Sequence, residues 1–239
     1  SAMALLDLDT AKAKKYTDTK SAKEESGYTS PFCYPLWPCD RVGEYILAKS
    51  AVAGAMIQYM ASDNEDVPNQ SPSNHLLGVG GQCLEDGTEV YLDQDQANTV
   101  NGYGVTTAIN QNGYRLWGNY TGAYPASSDA KDIWFAVRRM FSWQGNNFIQ
   151  TYFDEVDDPM NNVLVQSVVD SENIRCSAYA PKYWAGASIE YKSDDNPKTA
   201  ILAGTMKFRQ HIAPYTPAQE IVDIIDYDTD TLAAAVRGN

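Results

Sequence analysis

Few side chains are placed to do chemistry. There are two histidines, His75 in a Pro/Ser/Asn-rich stretch and His211 in an alternating run. Neither sits in a cluster with the helical or knuckle spacing of a metal site, so both read as structural. Asp226, Asp228 and Asp230 follow the one-three-five spacing that begins an EF-hand calcium loop. The sixth position, however, is Thr231 rather than glycine, and the twelfth is Arg237 rather than a bidentate glutamate. A cation stands where the strongest ligand belongs, leaving at most a weak, irregular calcium site. Gly186-Ala-Ser188-Ile-Glu190 lacks the closing glycine of a nucleophile elbow. "GVGG" (78–81) fits neither dinucleotide spacing nor a P-loop, which needs a lysine. Glu155/Asp157/Asp158 and Asp194/Asp195 could serve a glycosidase, but their polar, turn-like surroundings fit solvated acidic loops better. The expectation is a chain that is not an enzyme, with no catalytic, cofactor-binding or metal-ligating residue.

"NGYRLWGNYTG" (112–122) combines Gly113, Gly118 and Gly122 with Tyr114, Arg115, Trp117 and Tyr120. Its glycines match no phosphate-binding template and read as positive-φ turns between strands. This is a chain turning a corner.

The elements around these residues follow from pattern and punctuation. "ALLDLDT" (4–10) reads as a buried strand, and the lysine-rich stretch to Ser26 as a helix stopped by Gly27. Prolines 31, 35 and 38 make "SPFCYPLWPCD" extended edge or loop structure, with Phe32, Tyr34, Leu36 and Trp37 turned inward. Residues 48–65 read as a helix whose Gly54 permits close approach to a neighbour, followed by a Pro/Asn/Gly loop. From Gln94 to Asn119, turn signals at 101–104 and 110–113 predict strands and hairpins. "DIWFAVRRMFSWQGNNFIQTYF" starts as a strand and becomes a helix near Met140. Pro159 suits a first helical turn, and the chain then runs helically towards Pro181. Two alternating runs flank an Asp-Asn-Pro turn at 195–197. The last segment is ambiguous: Ile221, Ile224 and Ile225 suit a helix face, while its β-branched content suits a strand.

Composition narrows the class. The 239 residues allow one large domain or two small ones, and 44% apolar with 21% charged residues is a globular balance. A net charge of −13 repels phosphate backbones, so no nucleic-acid partner is expected. No apolar run is long enough to span a bilayer, no signal peptide opens the chain, and no membrane insertion is expected. Ser1-Ala2-Met3 reads as a tag remnant, and Cys33, Cys39, Cys83 and Cys176 as reduced structural thiols. Five Trp and sixteen Tyr suit extensive wet contact surfaces, and keep open a carbohydrate-binding module as the alternative reading.

Taken in order, six stretches resemble the tail sheath proteins of contractile bacteriophages and related prophage and bacteriocin particles. "SPFCYPLWPCD" is similar to the family's aromatic, proline-containing strand, and "AKSAVAGAMIQYMASDN" to its small-residue helix. "SPSNHLLGV" resembles its Ala-Pro-Ala-Asn loop, and "VNGYGVTTAINQNGYRLWGNYT" its Asn-x-x-Gly-Val…Trp-Gly signature. "DIWFAVRRMFSWQGNNFIQ" is similar to its Arg-Arg strand and helix, and "DNPKTAILAGTMKFRQHIAPYTPAQEIVDIIDYD" to its closing segments. The likeness runs from about Leu5 to Leu232, and departs from the family in overall length and in Ala-Lys-Ser for Pro-Pro-Ser.

The resemblance implies an α/β to α+β fold in two lobes. Residues 4–97 would be the latter part of a larger α/β sheath domain, and 98–239 a smaller C-terminal α+β assembly domain. It implies a structural subunit that stacks in hexameric rings around a tail tube, with copies of itself, the tube protein, and baseplate and tail terminator proteins as partners. Contraction would drive the tube through a host envelope, the virion tail being assembled in the bacterial cytoplasm. No cofactor is implied. Terminal arms that add a strand to a neighbour's sheet place the subunit interface at Ile221, Val222, Asp223, Ile224, Ile225, Asp226 and Tyr227, within 220–231. The other possibility is that this segment folds back on its own domain. Arg138 and Arg139 are inter-subunit ion-pair donors or ordinary surface residues, and Arg115, Trp117 and Gly118 pin the junction between the halves.

Overall fold

A computed structural model describes residues 2–238. The opening apolar run forms β1 (Ala4–Asp7), a strand as predicted but not a buried one: Ala4 is exposed and Leu5 to Asp7 are half-buried. The lysine-rich stretch is helical only at its end, in α1 (Thr19–Glu25), after a 3-10 turn at Tyr16–Asp18. Asp9 explains the shortfall: its carboxylate accepts from Ala11 N at 2.8 Å and its carbonyl from Ala13 N at 2.9 Å, closing a local turn instead of a helix. Gly27, at φ 67°, ends α1.

β2 (Cys33–Leu36) pairs in parallel with β1, Leu6 opposite Pro35. Tyr34, Leu36 and Trp37 are buried and Phe32 half-buried. The edge position expected from the prolines is not what forms. β2 has β1 on one side and Thr106 on the other, where Thr106 N donates to Pro35 O at 2.8 Å and Trp37 N donates to Thr106 O at 2.9 Å. Proline lacks only a donor, and its carbonyl still serves the ladder.

β3 (Cys39–Val42) and β4 (Tyr45–Leu47) form a hairpin around Gly43, and α2 (Lys49–Asp63) follows. α2 buries Lys49, Ala53 and Ile57. A Cβ on Gly54 would meet Leu5 at 3.7 Å, an ordinary contact, so the predicted need for glycine there is not met. β5 (Gly81–Cys83) completes a sheet of order β4-β3-β5.

The strand reading of 94–104 is overturned by α3 (Gln94–Gly102). Asp93 accepts from Gln96 N at 2.8 Å and Gln96 Oε1 accepts from Asp93 N at 3.2 Å, a capping box that starts the helix, while Ala97 and Val100 bury its inner face. The predicted hairpin does form, from β6 (Thr107–Asn110) and β7 (Tyr114–Trp117), turned by Asn112 (φ 54°) and Gly113 (φ 108°).

After α4 (Ala130–Ile133), α5 (Phe135–Thr151) begins at Phe135 rather than near Met140. Only Trp134 is extended, bridging to Tyr120. α6 (Asn162–Ala178) is capped by Asn161, which accepts from Leu164 N at 2.9 Å, so Pro159 lies before the helix and not in its first turn. β8 (Trp184–Glu190) pairs antiparallel with β9 (Arg209–Pro214), with α7 (Lys198–Leu202) between them. Residues 215–228 have no regular structure and lead to α8 (Thr229–Arg237).

The result is a mixed α/β architecture of small sheets and helices around three apolar clusters. Leu8, Trp37, Leu84, Val100 and Val105 form one. Tyr34, Leu36, Ile57, Leu116 and Phe135 form the second, and Val67, Met140, Cys176, Tyr183 and Trp184 the third. Each draws residues from both sides of position 97.

Candidate functional site

The corner at 112–122 is held from several directions. Arg115 donates through Nη1 to Asn74 O at 2.8 Å and through Nε to Gln111 O at 3.1 Å, tying β7 to the preceding loop. Trp117 Nε1 donates to Asn98 Oδ1 on α3 at 2.9 Å. Gly118 has φ 151°, and a Cβ there would lie 2.5 Å from Thr106 Oγ1, so only glycine fits. Its N–H donates to Ser73 Oγ at 3.1 Å, and its carbonyl accepts from Tyr34 Oη at 2.8 Å. Arg115 and Gly118 thus reach segments before residue 97, whereas Trp117 holds α3 beside them.

Arg138 and Arg139 lie on α5. Arg138 Nη1 donates to Asp132 Oδ1 at 3.0 Å while its guanidinium sits 4.0 Å over the Phe32 ring. Arg139 stands 5.4 Å over the Phe135 ring, and burial lowers its pKa to about 10. Among the described residues no ion pair reaches Arg139. It lines an open groove with Met3, Leu5, Ile57 and Phe135.

The segment after β9 is different in kind. Ile221, Ile224 and Ile225 are 89%, 80% and 86% exposed, and Val222, Asp223, Asp226 and Tyr227 are exposed as well. The segment does not fold back onto the chain's own apolar clusters. A hydrogen bond from Tyr120 Oη to Gln219 Oε1 at 2.8 Å fastens its start. Tyr120 itself stacks between Tyr124 and Trp134, at 3.7 Å and 4.9 Å. Asp228 accepts from Asp230 N at 3.1 Å and Thr231 N at 2.9 Å, capping α8. The aspartate spacing that resembled a calcium loop is therefore, at Asp228, a helix cap.

Elsewhere, among the described residues, no group of three or more His, Cys, Asp or Glu could hold a metal ion. His211 Nε2 lies 2.9 Å from Glu190 Oε1 across β8 and β9. Among the described residues no helix is long and apolar enough to cross a membrane. Sequence reasoning missed several buried charged groups. Glu172, on α6, is fully buried and binds Arg175 through two hydrogen bonds and Gln144 Nε2 at 2.6 Å. Lys49 donates to Asp40, both wholly buried. Glu172 and Arg175 stand three apart on one helix face, a signal the sequence does carry.

No family model matches the chain. The major tail sheath protein of Serratia phage KSP20 is 27% identical over 191 residues, covering 77% of this chain and 46% of its own length. The tail sheath protein of Escherichia phage P2 is 24% identical over 170 residues, covering 70% of this chain and 41% of its own. That of Burkholderia phage BcepMu is 27% identical over 180 residues, covering 71% and 36%. The chain is similar in sequence to phage tail sheath proteins. The chain spans less than half the length of the curated proteins it matches. Solved structures agree in fold. The contracted sheath complex of the PVC extracellular contractile injection system matches with a TM-score of 0.78 at 18% identity, over 96% of this chain and 65% of that one. The contracted helical sheath of the anti-feeding prophage matches with a TM-score of 0.72 at 19% identity, over 95% and 61%. The carbohydrate-binding alternative finds no support among these relatives.

Proposed function

We propose that the chain is the C-terminal conserved part of a contractile sheath subunit, one that polymerises in stacked hexameric rings around a tail tube and contracts to drive it through a host envelope. The observation that carries the reading is the exposed arm from Ile221 to Tyr227, whose three isoleucines are each at least 80% exposed. Such a segment gains by pairing with another copy: backbone groups supply attachment and alternate side chains fix register. Its aspartates discourage irregular aggregation. Arg139 is the better of the two arginines for an ion pair with a neighbouring subunit, since Arg138 is already committed to Asp132.

In this reading the work of the molecule resides in contacts between copies, and no enzymatic step is required. Baseplate, tube and terminator proteins are the further partners, and assembly takes place in the host cytoplasm. Residues 4–97 contribute to a larger lobe and 98–239 to the assembly lobe. Segment 98–135 packs on the first lobe through Val100, Leu116 and Phe135. Arg115 and Gly118 lock that junction. Negative-stain microscopy of concentrated protein is the test. Rings or striated tubes, lost when residues 217–239 are removed, are expected. Monodisperse monomer across all salt conditions overturns the reading.

A further inference from the structure

Lys49 opens α2 and Asp40 lies on β3, nine residues earlier, and both side chains have no solvent exposure. Lys49 Nζ donates to Asp40 Oδ1, while Asp40 Oδ2 is buried without a hydrogen-bond partner among the described residues. Taking two charges out of water costs several kcal/mol for each ion, and one ion pair with half its acceptor capacity unused offsets this poorly. The arrangement is therefore expensive as an ion pair and favourable for reaction. Burial favours the neutral acid at Asp40, and an amine facing a neutral acid is the reactive pair for condensation.

We propose that Lys49 and Asp40 condense spontaneously into an intramolecular isopeptide bond that staples α2 to β3. The ammonium gives one proton to Oδ1. The amine lone pair then forms the Nζ–Cγ bond. A second Nζ proton leaves with Oδ1 as water when the Cγ–Oδ1 bond breaks. Oδ2 remains as the amide carbonyl and one proton stays on nitrogen, so no oxidant or co-reactant is consumed. Holding the two groups in contact replaces a bimolecular encounter, worth an effective molarity of about 10⁵ M or more in well-oriented systems. Excluding water suppresses the reverse hydrolysis. Burial raises the pKa of Asp40, with the nearby Asp7 carboxylate acting in the same direction and Lys49 opposing. Asp7 is fixed beside the pair by accepting from Ser50 N at 2.9 Å.

The staple is independent of the sheath reading, because it concerns one chain and is read by mass. Denaturing intact-mass measurement of the purified protein is expected to fall one water below the sequence mass. A tryptic digest should contain a branched peptide joining the Asp40 and Lys49 segments, with no cleavage after Lys49. Lys49→Arg, which keeps the charge and cannot condense to this product, should restore the full mass. Asp40→Asn should form the same bond with loss of ammonia. A full-mass wild type with a linear peptide ending at Lys49 overturns the proposal. So does a water loss without a branched peptide, which would be a cyclic imide at Asp40.

Discussion

Tyr34 Oη donates to the carbonyl oxygen of Gly118 at 2.8 Å, joining a buried strand to a glycine 84 positions later. The ring stacks on Phe135 with centroids 4.0 Å apart, so one side chain connects β2, the corner after β7 and the first turn of α5. Tyr34→Phe keeps the ring and orphans the carbonyl, and is expected to cost about 1–2 kcal/mol. Gly118→Ala adds a Cβ that must displace Thr106 and Asn101. It should cost about 3 kcal/mol, more than Tyr34→Phe. Urea unfolding of both variants checks the order, and a reversal would show that the corner has room to relax.

Replacing Ile221, Ile224 and Ile225 together by serine should leave the monomer's stability within about 0.5 kcal/mol, because exposed side chains contribute little to their own fold. Assembly into rings or tubes should be lost. Parallel thermal unfolding and microscopy read the two effects separately. A large drop in melting temperature would mean that the arm belongs to its own core.

Glu172→Ala removes the acceptor that Arg175 and Gln144 share in the interior. The expected loss is about 3 kcal/mol, the usual cost of breaking a buried pair from one side. Glu172→Gln, which retains volume and one acceptor, should lose less. Chemical denaturation distinguishes this from a solvent-screened pair, for which both changes would be nearly silent.

Lys23 gives a pH signature. Its ammonium donates to Tyr103 O at 2.9 Å and Tyr124 O at 2.5 Å, and burial lowers its pKa from 10.5 to about 8. Between those values the unfolded chain holds more protons at this site than the folded one, so the site's contribution to stability rises with pH. Measured as the difference between wild type and Lys23→Met, stability should climb between pH 8 and 10.5, by up to about 3 kcal/mol at about 1.4 kcal/mol per unit. A flat difference would exclude burial as the controlling effect.

Local punctuation made the β6–β7 hairpin legible, because Asn112-Gly113 supplies two positive-φ residues where a tight turn needs them. The α6 helix and the β8–β9 pair were legible as well, the Asp-Asn-Pro turn marking the break between the two strand segments. α3 was not, since its polar "QDQANTVNG" has little apolar rhythm and its start depends on the Asp93–Gln96 capping box. The start of α5 was obscured because Phe135, Ala136 and Val137 are all buried, which removes the amphipathic signal that separates helix from strand. The family likeness was carried by the order of six motifs. The exposure of the arm, by contrast, depends on what the rest of the chain fails to cover, and pattern alone left it open.

The irregular stretch 215–228 connects β9 to α8 without using the chain's own cores. Pulled straight, it reaches about 45 Å. That is a leash longer than a small domain is wide, anchored near its root by Gln219. In the proposed assembly, two copies so tethered can slide and rotate past one another over tens of ångströms while the connection between them stays intact.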